Sequence, residues 1–84
     1  NPETIMKAAE IYSGLGETGG MYMQMFMPQN LSYLVKFLDG KVKSLNTELA
    51  EYEKNDDAAY ADKTRKEIAA FEECSKKFQA LEKK

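Results

Sequence analysis

Four methionines recur at every second position of one short run, Met21-Tyr22-Met23-Gln24-Met25-Phe26-Met27, and Met6 stands upstream. Thioether sulfur is a soft ligand that selects Cu(I), so Met21, Met23, Met25 and Met27 form a candidate Cu(I) site. The same side chains are unbranched and polarizable. They equally fill irregular gaps in small cores or make adaptable partner-binding surfaces. The chain has no histidine, and its one cysteine, Cys74, lies far from the run. With no second ligand type beside them, packing or partner contact is the favoured reading and copper the alternative.

Other residues spell motifs that their surroundings do not support. Gly14-Leu15-Gly16-Glu17-Thr18-Gly19 matches Gly-x-Gly-x-x-Gly, and Asp39 follows about twenty residues on. The dinucleotide-binding mechanism needs a strand before the glycines and a βαβ unit around them. The preceding residues read as a helix and the chain is too short for a sheet, so the glycines read as a flexible loop. Asn55, Asp56, Asp57 and Asp62 suggest a calcium loop. Counted from Asp56, however, the obligatory glycine position is Ala61, and Ala58 and Tyr60 fall where ligands belong. A solvated turn is the better reading. Cys74 lies between Phe71 and Phe78 and reads as a buried, inert thiol, available for intermolecular pairing only if that face is open. Without histidine, and with no nucleophile beside a base at a recognisable spacing, the expectation is a protein that is not an enzyme and holds no cofactor.

Charge narrows the partners. There are 14 Asp and Glu against 12 Lys and Arg, and no basic patch of the kind nucleic acid requires. From Glu17 to Lys36 no residue between them is charged. Gly19, Gly20, Gln24, Pro28, Gln29, Asn30 and Ser32 interrupt that stretch, so it does not read as a membrane span of ~20 apolar residues. It also lacks the basic face that draws an amphipathic helix onto anionic lipid. No leader pattern is visible, and a chain opening on Asn1 reads as a processed product or an excised domain.

The elements that position these residues follow from periodicity. Asn1 and Pro2 read as N-cap and N1, and Ile5, Ala8, Ala9 and Tyr12 repeat at helical spacing. This predicts a helix over about 2–13, ended by Gly14 and Gly16. A flexible loop is expected over 14–20, then a Met-rich segment over 21–27, read as a short helix or an irregular packed stretch. Pro28 and Asn30 are start signals for a helix over about 29–54. Its Leu31, Val35, Leu38, Val42, Leu45, Leu49 and Tyr52 alternate at spacings of 4 and 3, a coiled-coil seam, with Gly40 as its weak point. Asn55-Asp56-Asp57 turns the chain into a last helix over about 57–82. That helix buries Ala61, Thr64, Ile68, Phe71, Cys74, Phe78 and Leu81, and carries acid-first pairs such as Asp62 with Lys66.

So short a turn forces the two long helices antiparallel. The expected fold is all-α: a short N-terminal helix plus a long antiparallel helical hairpin, three-helix bundle-like with coiled-coil packing, in a single domain. Helices of 24–26 residues span about 36–39 Å and the first only ~18 Å, so about half of the hairpin is shielded. The other half must be narrow and charged, or covered by a second chain. Residues 8–17 resemble the end of a first tetratricopeptide-repeat helix, but no second copy follows and the later spacing differs, so no family is assigned. The expected function is a non-enzymatic interaction or assembly module that binds a protein partner or itself, as in a homodimer. Its contact residues are Met21, Tyr22, Met23, Met25, Phe26 and Met27, with Tyr33 and Phe37.

Overall fold

The computed structural model describes residues 2–26 and 30–83, which form four helices and no strand. They are α1 (Pro2–Ser13), α2 (Glu17–Met25), α3 (Leu31–Lys54) and α4 (Ala58–Glu82). Asn1, Met27 and Pro28, to which capping, ligand or contact roles are given above, lie outside the described residues. The chain is all-helical, with α3 and α4 packed as a hairpin and α1 and α2 as smaller elements beside it.

Helix α1 does not bury the whole face its spacing suggests. Ala8 and Tyr12 are fully covered, while Ile5 and Ala9 face outward and Ile11 takes their place against the core. A helix this short touches its neighbour along a narrow stripe, so only one of two adjacent apolar rows is used. Three i→i+3 bonds then wind the chain through Gly14, Leu15 and Gly16. Gly16 has φ +63°, a conformation that costs any other residue steric strain.

The glycine stretch, expected as a loop through residue 20, is helical from Glu17 onward. Gly19 is the reason. It is buried, and an added Cβ would lie 1.8 Å from the carbonyl oxygen of Tyr12. Only a residue without a side chain lets the first turn of α2 rest on the end of α1. That close approach makes α1 and α2 one body, hereafter the arm.

Of the two start signals, Asn30 is the N-cap residue of α3: its Oδ1 accepts a hydrogen bond from the Tyr33 backbone N–H at 3.0 Å. The helix runs unbroken through Gly40. Leu34, Leu38 and Leu45 are buried, and Leu31, Val35, Phe37, Val42 and Leu49 pack half-buried around them. Its C-terminus is closed by a Schellman arrangement. The N–H of Asp57 donates to the Tyr52 carbonyl at 2.9 Å and that of Asp56 to Glu53 at 3.2 Å, with Asp56 left-handed at φ 55°. Asp57 is the N-cap residue of α4, but its side chain makes no capping hydrogen bond.

Along α4 the buried set is Ala61, Thr64, Ile68, Phe71, Cys74, Ser75 and Phe78. Ser75 is the unexpected member. Its hydroxyl donates to Asp39 of α3 at 2.8 Å and accepts from Gln79 at 3.2 Å, which satisfies it inside the seam. Ser32 of α3 likewise donates to Glu82 of α4. Ser32 and Asp39 lie seven residues apart, as do Ser75 and Glu82, so the two bonds link matching positions of the antiparallel α3 and α4. At the far end, Arg65 bridges Glu53 at 2.9 Å and Asp62 at 2.7 Å, and Tyr52 stacks on Tyr60. Asp62, expected to meet Lys66, thus meets Arg65. These charged pairs and stacked rings lie at the end of the hairpin away from α1 and α2.

Candidate functional site

Helix geometry divides the Met-rich run. Residues two apart on an α-helix point about 200° apart, while residues four apart share a face. Met21 and Met25 therefore stand together on the outer side of α2, 52% and 61% exposed, alongside Glu17, Gly20 and Gln24. Met23 turns the other way and packs against the core. The helix thus separates the Met23 side chain from those of Met21 and Met25, two of its three partners in the Cu(I) set.

The expected contact residues divide in the same way. Tyr22 is a core residue, 7% exposed, and its ring meets those of Tyr12, Phe26, Phe37 and Phe71 at centroid distances of 5.3–6.4 Å. Phe26 lies 4.7 Å from Phe37 and both are half-buried. Phe26 also reaches Tyr33, at 6.0 Å, and Tyr33 is itself 53% exposed. Among the described residues, Met21, Met25 and Tyr33 are therefore the outward-facing members of the expected set. Tyr22, Met23, Phe26 and Phe37 form an aromatic and thioether layer that joins the arm to the hairpin. Two exposed apolar residues on α1, Ile5 and Met6, were not among those expected. An apolar row next to the buried one was their only sequence signal, and the row used for packing could not be told from the row left bare.

Two titratable groups, Tyr12 and Cys74, are shifted by burial. Burial pushes the Tyr12 hydroxyl up to about 12, helped by the neighbouring Cys74 and Tyr22. Burial likewise pushes the Cys74 thiol up to about 11, against a lowering by Lys77. Both stay protonated at neutral pH, and a protonated, buried thiol is a poor nucleophile. Among the described residues, no group of three or more His, Cys, Asp and Glu is placed to hold a metal ion. The acidic turn forms an open concavity of about 260 Å³, and Arg65 stands in it with its guanidinium paired to two of the carboxylates. Among the described residues, no helix is long and apolar enough to cross a membrane.

What the geometry defines is an all-α helical hairpin with a two-helix arm beside it, and exposed apolar side chains on both helices of that arm. Comparison with protein-family models, curated proteins and solved structures gives no match to this chain.

Proposed function

We propose that this chain is a non-enzymatic protein–protein interaction or assembly module whose contact surface centres on Met21 and Met25, with Tyr33 at its edge. The observation that carries this reading is the exposure of both methionines on one helical face, within a stretch that has no charge between Glu17 and Lys36. Flexible thioethers suit an apolar partner surface, because their desolvation is favourable and they adapt to the shape they meet, with Glu17 at the N-terminal rim of the face. The partner is another protein or a second copy of the chain. In a dimer, the half-buried edge of the α3 seam at Val35, Val42 and Leu49 would extend into coiled-coil packing.

The test replaces Met21 and Met25 with serine and measures mass by light scattering over a hundredfold range of concentration. Self-association by the parent that weakens in the double variant, with helicity kept, supports the reading for a homodimer. Equal association in both proteins removes the methionine face from the interface. Met23 and Phe26 are unsuitable for this purpose, since both pack on the core and their loss would disturb the fold.

The alternative, Cu(I) binding by clustered methionines, rests on Met21 and Met25 one turn apart on the same exposed face. A Cu(I) titration that shows no binding at micromolar metal would dispose of it.

A further inference from the structure

The arm and the hairpin meet through rings and apolar side chains. Within the arm, Gly19 rests on the Tyr12 carbonyl, hydrogen bonds close the turn at residues 14–16, and the Tyr12 and Tyr22 rings meet at 6.4 Å. Within the hairpin, an apolar seam is pinned by Ser75 to Asp39, Ser32 to Glu82 and Arg65 to Glu53. Between the two, the ring contacts include Tyr12 with Phe78 at 5.0 Å, Tyr22 with Phe37 at 5.3 Å, Tyr22 with Phe71 at 6.1 Å and, just past α2, Phe26 with Phe37 at 4.7 Å. Ile11 beside Leu81 and Leu15 beside Ala70 border the groove on either side. The Tyr12 hydroxyl is buried there with no hydrogen-bond partner among the described residues. A buried hydroxyl left unpaired weakens the closed arrangement.

We propose that the groove lined by Phe37, Ala70, Phe71, Cys74, Phe78 and Leu81 is an exchangeable helix-binding site, filled in cis by the chain's own arm and able to take the arm of a second copy. Apolar contact is non-directional and does not depend on which chain supplies the helix. The occupant is defined by what already sits there: an amphipathic helix with a small residue and an aromatic one turn apart, Ala8 and Tyr12, followed by a second short helix that brings the Tyr22 ring. A second copy re-forms the same contacts, which is the low-cost route to a dimer. The cis arm holds the site by its high effective concentration, of order millimolar for a short connection. This proposal stands apart from the Met21 and Met25 surface and survives if that reading fails.

Cys74 is a built-in reporter, because it is 3% exposed on the groove floor between Phe71 and Phe78. The experiment follows its labelling by a thiol-reactive disulfide in the full chain. Tyr12→Ala should speed labelling at least about a hundredfold, the effect of deleting a buried aromatic side chain, while most of the helicity remains. Leu49→Ala, in the seam away from the arm, should change the rate little. A peptide of residues 2–26 added to the Tyr12→Ala chain should slow labelling again in a saturable way. The same peptide carrying Tyr12→Ala should not. Four results overturn the proposal: loss of helicity in Tyr12→Ala, an unchanged labelling rate, an equal acceleration by Leu49→Ala, or no protection by the parent peptide.

Discussion

The carbonyl oxygen of Tyr12 occupies the place where a side chain on Gly19 would begin, 1.8 Å from the position of its Cβ. One residue on, Gly20 faces open space. Two neighbouring glycines in the same helical turn therefore have opposite roles. Gly19→Ala should destabilise by about 1–3 kcal/mol, because the backbone of α1 must move to admit the methyl group. Gly20→Ala should stabilise by roughly 0.5–1 kcal/mol through helix propensity alone. Urea denaturation of the two variants checks both signs. Equal effects would mean that the close approach is not what holds α2 against α1.

Tyr12 is 2% exposed and its hydroxyl has no partner among the described residues. Tyr12→Phe removes the orphaned oxygen and keeps the ring against Phe78, so it should raise stability by about 1 kcal/mol. The same burial produces an alkaline response. Tyr12 rises from 10.0 to about 12 and Cys74 from 9.0 to about 11 on folding. The unfolded chain releases these protons first, so their stabilisation is complete below pH 9 and is lost as pH rises towards 12. The expected loss is of order 1–3 kcal/mol per group. Unfolding free energies measured from about pH 8 to 11 should fall, and the fall should flatten in a Tyr12→Phe, Cys74→Ala variant. An identical slope in that variant would show that neither group is responsible.

Helix α3 and the turn that follows it carry two positions that their own geometry does not favour. Gly40 lies in mid-helix with nothing within reach of an added Cβ, and Asp56 is left-handed at φ 55°. Gly40→Ala should stabilise by about 1 kcal/mol. Asp56→Gly should stabilise by roughly 0.5–1 kcal/mol, since glycine adopts that backbone without a Cβ clash. The positions are far apart and share no partner, so the double variant should show the sum of the two in thermal or urea unfolding. A destabilising Asp56→Gly would mean that its carboxylate does more at the turn than tolerate the backbone.

Much of the architecture was legible in the residue pattern because it is local. The helical hairpin follows from the 3–4 repeat in α3, the Asn30 cap and the short turn at residues 55–57, each of which acts over a few neighbours. Ser75 shows where that reading stopped. The buried phase of α4 leads from Phe71 to residue 75, but a serine there looks out of place until Asp39 is seen opposite to satisfy it. The outward faces were less legible still. Ile5 and Ala9 carry the same helical spacing as Ala8 and Tyr12, and only contact with α4 decides which row is covered.

Period, caps and charge are short-range quantities, and they are enough to make this chain helical, to start and turn its long helices, and to place an uncharged, methionine-rich stretch before them. They do not reach the stretch from Glu17 to Gly20, whose glycines favour a loop when read alone. There the outcome came from packing: Gly19 meets the Tyr12 carbonyl, and the chain is helix from Glu17. That contact in turn sent Met21 and Met25 outward and Tyr22 and Met23 inward. Alternate residues share one side of an extended chain and part on a helix, so the exposed surface was set by a backbone contact made with another element of the fold.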